Sequence, residues 1–185
     1  MVSHQETSEA AHEAPQGAIA ESGLLGRAIS AGGLVFAAGI VVAMLILIQE
    51  VVLRYFFNSP TVWAHETTIF LSGIAFVYGG LYCVAQDNHI RVVLLYDAIP
   101  RGARRILDIV ISVICALASG MFAWAAWLMV ERAVFTPAGD FRLETSGSAW
   151  DPVYPGLMKL FLLAVMAVMA LQFLILAINY ARGRR

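Results

Sequence analysis

The sequence predicts an all-α integral membrane protein with four transmembrane helices. Of its 185 residues, 60% are hydrophobic and 14% are charged, and the mean hydropathy is +0.76, whereas soluble domains carry about 25% charged residues. The apolar residues fall into four runs, each of about 20 residues, which as α-helix would cross a hydrocarbon core of about 30 Å. Backbone groups in lipid must be satisfied internally, and the strict alternation of a transmembrane strand is absent, so these runs are predicted to be helices.

The four helices make up a predicted transmembrane domain over residues 28–181. Residues 1–27 are rich in Ala, Glu, Gly and Ser and have no basic region before a short apolar core. This composition predicts a disordered cytoplasmic tail and no cleavable signal peptide. Residues 182–185 form a short basic tail. The helices are predicted over residues of about 28–53, 63–86, 105–131 and 156–180.

The distribution of basic residues predicts that both termini are cytoplasmic. With four helices, the termini share one side of the membrane with the connection between helices two and three. Eight of the 12 Lys and Arg residues fall on that side, and four fall on the other: Arg54, Arg132, Arg142 and Lys159. The positive-inside rule places the side with the excess in the cytoplasm.

The first outer connection predicts a structural clasp at the membrane surface. Glu50 and Arg54 are four residues apart in the favourable order for a helical ion pair. Such a pair would lessen the cost of placing charge near lipid. The Asn-Ser-Pro sequence at 58–60 predicts a turn, Trp63 suits the headgroup level, and Glu66 lies in the first turns of helix two. We therefore assign Glu50, Arg54, Trp63 and Glu66 to an outer-face ion pair and interface.

The connection between helices two and three, residues 86–108, predicts a short segment lying in the inner membrane interface. Apolar residues recur there at helical spacing, and Pro100 would stop the segment. Its basic residues suit contacts with anionic lipid headgroups. The residues assigned to this inner interface are His89, Arg91, Arg101, Arg104 and Arg105.

Helix three carries a stripe of small residues that predicts close helix packing. Ser112, Ala116 and Gly120 follow one another at four-residue spacing, which lets another backbone approach closely. Packing within this chain and packing on a partner protein are both compatible with the stripe.

The second outer connection, residues 131–156, is the longest in the chain and is a candidate docking loop. Long ordered loops are often functional, and mixed charge with a tryptophan suits protein docking. A cap over the chain's own helices is an equal alternative. The residues that we assign to docking are Asp140, Arg142, Glu144, Trp150 and Asp151.

The sequence predicts no cofactor, no metal and no catalytic activity in this chain. His65 beside Glu66 lacks a further ligand at a supporting spacing. His65 and His89 belong to opposite membrane faces, so they do not form a facing pair for haem. Cys83 and Cys115 lie in apolar runs outside any Cys-x-x-Cys motif. The alternative function, a membrane anchor subunit of a redox enzyme that binds quinone or haem, rests on the four-helix size and the histidines at helix ends.

An ordered set of motifs resembles the small membrane subunit, called DctQ-like, of tripartite ATP-independent periplasmic (TRAP) transporters. The set begins with Arg-Tyr-Phe-Phe-Asn-Ser-Pro at 54–60, continues with Trp63 and Glu66, and includes His-Ile-Arg-Val at 89–92 and a Pro-Arg-rich run into Asp108. The resemblance covers residues of about 30 to 180. The chain departs from the family pattern at His65 and Val93, where the family commonly has carboxylates.

The resemblance implies a scaffold in the bacterial inner membrane, with partners that bind and move the substrate. A large TRAP membrane subunit would carry the substrate and sodium sites, and a periplasmic substrate-binding protein would dock transiently on the outer surface. The complex would take up organic anions, such as carboxylates, by ion-coupled symport. The chain itself shows no broken helix or midplane polar cluster of the kind that secondary transporters use to bind substrate.

Overall fold

The computed structural model of the chain describes residues 23–86 and 101–182. Its helices are α1 (Gly23–Phe56), α2 (Val62–Ala85), α3 (Arg101–Val134) and α4 (Tyr154–Arg182). All four are long and apolar enough to cross a membrane. Within the described residues, the extended structure is one isolated bridge between Phe135 and Phe141. The predicted fold class, all-α with four transmembrane helices, is confirmed.

The helices extend further than the sequence predicted. α1 begins at Gly23, so residues 23–27 of the expected disordered tail are helical. α3 begins at Arg101, so the last part of the expected interfacial segment, residues 101–108, forms its first two turns. Polar residues can continue a helix beyond the hydrocarbon core, which is why apolar run length underestimates helix length. Residues 1–22 and 87–100 lie outside the described residues.

The helices pack in the order α1, α2, α4, α3 rather than around one closed core. The α3–α4 contact is the most extensive and the α1–α2 contact is next, while α2 and α4 join the two hairpins. α1 contacts α4 only slightly. α1 buries only Gly26, Ile29, Ala43 and Glu50, so the side of α1 that faces away from α2 is open to lipid or to another protein.

Two hydrophobic clusters hold the hairpins together. One contains Val84, Ala116, Phe173, Leu176 and Tyr180, from α2, α3 and α4. The other, from α1, α2 and α4, contains Ile29, Leu81, Ala85 and Val165. α2 and α4 contribute to both clusters, so they form the centre of the assembly.

Paired glycines allow α1 and α2 to approach closely. A Cβ atom at Gly32 would lie 2.1 Å from Tyr78 Oη, and one at Gly33 would lie 2.6 Å from Tyr82 Cε2. The Tyr78 hydroxyl donates a hydrogen bond to the Ile29 carbonyl at 2.6 Å. Its ring stacks on Phe36 with a centroid distance of 3.9 Å. Because glycine has no side chain, Gly32 and Gly33 leave room for the rings of Tyr78 and Tyr82 between the two helices.

The small-residue stripe of α3 is only partly the one predicted. Ser112 and Ala116 are buried, but Gly120 is exposed and Ser119 is buried in its place. Seven residues turn a helix about 20° short of two turns, whereas eight residues overshoot by about 80°. The face therefore continues from Ser112 to Ser119. Gly120 therefore lies off the face that is packed within this chain, and its packing on a partner protein stays a prediction.

Candidate interface at the outer end

The two outer connections lie at the same end of the four helices, which we call the outer end. It contains the end of α1, the start of α2, the end of α3 and the start of α4, with residues 57–61 and 135–153 between them. The basic-residue distribution predicts that this end faces outward. Of the sequence-predicted site residues, nine lie here: Glu50, Arg54, Trp63, Glu66, Asp140, Arg142, Glu144, Trp150 and Asp151.

Glu50 is the central polar group of the first connection. Its carboxylate lies 2.8 Å from Arg54 Nη2, in the ion pair that the spacing predicts. It also accepts hydrogen bonds from the Thr61 backbone N–H, at 3.1 Å to Oε2, and from the Thr61 hydroxyl. The Glu50 side chain is 9% exposed and that of Arg54 is 56% exposed. Glu50 therefore links the end of α1 to Thr61, the residue that precedes α2.

The chain reverses between these helices through a left-handed residue. Asn58 has a φ of +49°, a conformation that asparagine tolerates better than most side chains do. The turn brings the N–H groups of Phe57 and Ser59 to the Leu53 carbonyl, at 3.2 and 3.1 Å. Thr61 is the N-cap residue of α2 but forms no side-chain capping bond. The Glu50 carboxylate instead places negative charge at this helix N-terminus, where the helix dipole favours it.

Thr61 was missed by the sequence analysis. Its position after Pro60 and before a helix is a signal for an N-cap residue. Nothing in that pattern indicates a partner eleven residues earlier. Trp63, which was predicted, is half-buried near the start of α2, and its carbonyl accepts a hydrogen bond from the Thr67 hydroxyl at 2.8 Å.

The second connection, residues 135–153, is tied to α3 and α4 by backbone and side-chain contacts. The N–H groups of Arg142 and Glu144 donate to the carbonyls of Val134 and Ala133, each at 2.8 Å. The carboxylate of Glu144 forms an ion pair with Lys159 of α4. These bonds satisfy carbonyls at the end of α3, which have no partner within the helix. The loop is therefore a cap on its own helices.

Ser146 joins the same loop to α2. Its hydroxyl lies 3.1 and 3.3 Å from the two carboxylate oxygens of Glu66. The Asp151 carboxylate in turn accepts a hydrogen bond from the Gly147 N–H at 2.8 Å. Asp151 therefore shapes the loop, and Glu66 connects it to α2.

Aromatic residues complete the outer end. Trp150 packs edge-on against Tyr154 with a centroid distance of 5.5 Å, and Tyr154 stacks on Phe70 at 4.4 Å. Asp140, Arg142 and Trp150 have exposed side chains. A further exposed aromatic group, Tyr55, Phe56 and Phe57, follows Arg54 at the end of α1. Aromatic side chains at helix ends suit the membrane interface or a protein partner.

At the opposite end, Arg105 binds the end of α4. Its Nε donates to the Tyr180 carbonyl at 2.8 Å, and its Nη2 donates to the Ala181 carbonyl. A cation at a helix C-terminus is favourable for the same dipolar reason. Arg105 thus has a partner within the chain, although it was assigned to lipid contacts. His89 and Arg91, and the side chains of Arg101 and Arg104, lie outside the described residues.

No group of three His, Cys, Asp or Glu side chains in the part of the chain that the structure describes is placed to hold a metal ion. Cys83 and Cys115 are both free thiols. The outer end thus offers hydrogen-bonded carboxylates, exposed charges and aromatic surface. Such an arrangement suits binding to lipid and protein.

Comparisons with known proteins agree with these features. The family model described as the DctQ component of tripartite ATP-independent periplasmic transporters matches residues 43–183. The chain is also similar to a protein of Vibrio cholerae serotype O1 named C4-dicarboxylate TRAP transporter small permease protein DctQ, with 30% identity over 95 residues. That match covers 48% of this chain and 40% of the relative. The family match begins within α1 and extends past the end of α4.

Proposed function

Because this chain belongs to the DctQ family, the small subunit of TRAP transporters, we propose that it acts there as a scaffold that holds a large membrane subunit. Membership places it in the bacterial inner membrane as a multi-pass protein, consistent with its four apolar helices. Transport by the complex would depend on two further proteins: the large membrane subunit and a periplasmic binding protein. The alternative, a redox anchor, has no comparable support.

One observation carries the scaffold proposal: α1 is apolar around its circumference but packs along one side only, mainly against α2. Only four of its residues are buried. Many of its apolar side chains are about half exposed or more, including those of Leu34, Val41, Met44 and Val51. Without a hydrophobic force between helices in lipid, a helix is held by shape-matched packing. We propose that the large subunit supplies that packing along α1.

The proposed transport substrate is an organic anion, most simply a dicarboxylate. The relative's name specifies C4-dicarboxylates. Support from this chain is indirect, because two of its described cations, Arg54 and Lys159, are already paired with its own carboxylates. Substrate and sodium sites are therefore proposed for the large subunit, with uptake driven by an ion gradient.

Co-purification tests the scaffold proposal. The chain, carrying an affinity tag, is expressed with the large TRAP membrane subunit and purified in mild detergent. We expect a stoichiometric complex that takes up dicarboxylate in liposomes only when the binding protein and a sodium gradient are supplied. Purification of this chain with a coloured oxidoreductase instead would favour the redox alternative.

A matched pair of variants locates the contact. Met44 of α1 and Met121 of α3 are both exposed, at 51% and 74%, and lipid tolerates tryptophan at either position. Met44→Trp is expected to reduce recovery of the large subunit, while Met121→Trp leaves it unchanged. Equal recovery with both variants would remove α1 from the proposed contact.

A further inference from the structure

A cleft at the outer end lies between the start of α2, the start of α4 and the second connection. Its volume is about 290 Å³. Its wall is almost entirely apolar and includes Ile69, Phe70 and Met158, while the polar side chains among its lining residues are those of Glu66, Ser146 and Tyr154. The cleft therefore combines a carboxylate with hydrocarbon and aromatic surface.

The Glu66 carboxylate has no cationic partner among the described residues. Its hydrogen-bond donor is the Ser146 hydroxyl, which has one proton to share between two oxygens. Two cations of the outer end are engaged elsewhere: Arg54 pairs with Glu50, and Lys159 pairs with Glu144. A half-buried carboxylate with about four acceptor positions thus has room for further donors.

The cleft lies where the outer connection meets the apolar spans of α2 and α4, a position that corresponds to the headgroup level of a bilayer. Glu66 is near the start of α2, and Tyr154 is the first residue of α4. Phe70 and Met158 lie one turn further along each helix, towards the apolar spans. A ligand that matches this order has a cationic group at the surface and an apolar body that points into the membrane.

From this complementarity we propose that the cleft binds a phospholipid with a primary ammonium headgroup, taken from the leaflet at the outer end. The ammonium group would donate hydrogen bonds to Glu66, and the upper acyl chain would lie on Ile69 and Met158. A headgroup with a net negative charge would be repelled by Glu66. No Arg or Lys lines the cleft to offset that repulsion. A primary ammonium has N–H donors for the carboxylate, which a choline headgroup lacks.

Lipid binding to the purified full-length chain tests this proposal, whether or not the large subunit accompanies it. The delipidated protein is titrated with phosphatidylethanolamine, phosphatidylglycerol or phosphatidylcholine of identical acyl chains, and bound lipid is counted by native mass spectrometry. We expect phosphatidylethanolamine to be preferred over phosphatidylglycerol by about fivefold, the upper range for a partly exposed ion pair. Equal binding of the three lipids would overturn the proposal.

Charge variants separate the cleft from general surface effects. Glu66→Gln keeps the shape and an acceptor for Ser146, and it should abolish the preference. Glu66→Lys should reverse the preference in favour of phosphatidylglycerol, a result that a purely structural role would not produce. The matched control is Asp140→Asn, which removes the same charge from an exposed position outside the cleft and should leave the preference intact.

Two results would contradict the proposal directly. One is an unchanged lipid preference in Glu66→Gln. The other is a combined result in the complex with the large subunit: bound phosphatidylethanolamine is lost, and a photo-crosslinker at Ile69 captures that subunit. The cleft would then hold protein instead of lipid. Neither result would bear on the proposed scaffold function, which is tested separately by co-purification and uptake.

Discussion

Thr61 donates both its backbone N–H and its hydroxyl to the carboxylate of Glu50 in the preceding helix. Glu50 therefore has a second role besides its ion pair with Arg54. A pair between exposed side chains contributes little to stability. Here the carboxylate is nearly buried, and it also serves donors at the start of the next helix, so the two partners of the ion pair are not equivalent.

The first prediction is that loss of Glu50 destabilises the chain more than loss of Arg54. Glu50→Ala should reduce the yield of folded, monodisperse chain several-fold, because it leaves the Thr61 N–H and Arg54 without their acceptor. Arg54→Ala should have a smaller effect, because Glu50 keeps both bonds to Thr61. Yield and heat resistance are measured by size-exclusion chromatography of the detergent-solubilised chain. Glu131→Ala, at an exposed position near the end of α3, is the control, and equal loss in the Glu50 and Arg54 variants would disprove the ordering.

The second prediction tests the close approach of α1 and α2. Gly32→Ala should destabilise the chain by about 1–3 kcal/mol, because the new methyl group overlaps Tyr78 Oη. Gly39→Ala should be neutral or slightly stabilising, since nothing lies within 4 Å of its Cβ position and alanine favours helix. Unfolding in mixed micelles provides the measurement. Adding Tyr78→Phe to Gly32→Ala should restore part of the loss, and failure to do so would argue against this overlap as the cause.

The third prediction distinguishes the two adjacent small residues of α3. Ser119→Leu should destabilise the chain by about 1–3 kcal/mol through overpacking against its neighbours. Gly120→Leu should leave the isolated chain unaffected, because no atom lies within 4 Å of the Cβ position of that exposed glycine. Thermal unfolding of the two variants is compared under identical detergent conditions. A larger loss in Gly120→Leu would mean that the packed face follows the four-residue spacing after all.

The fourth prediction concerns Arg105 at the opposite end. Arg105→Gln should lower stability by about 0.3–1 kcal/mol, because it removes a cation from the C-terminus of α4. Part of the loss should disappear in high salt, which screens this exposed group. Arg182→Gln, at the C-terminal end of α4, removes the same charge but leaves both hydrogen bonds of Arg105 in place. An equal effect of the two variants would indicate a general charge effect instead of specific capping.

The sequence was sufficient for the membrane-spanning elements because run length alone constrains them. About 20 apolar residues must be helical in lipid, whatever they contact. The Glu50–Arg54 pair was predictable for a similar reason, since four-residue spacing on one helix fixes the neighbourhood of both side chains. The order of motifs from Arg54 to Asp108 also indicated the DctQ family, whose model matches residues 43–183.

Tertiary structure alone decided which helix faces meet. Helices that are apolar around their circumference carry no amphipathic signal to say which side is packed. The sequence therefore pointed to Gly120, whereas the residue that is buried within the chain is Ser119. In the same way, the Thr61–Glu50 and Ser146–Glu66 contacts depend on how the connections fold over the helix ends, because their partners are 11 and 80 residues apart.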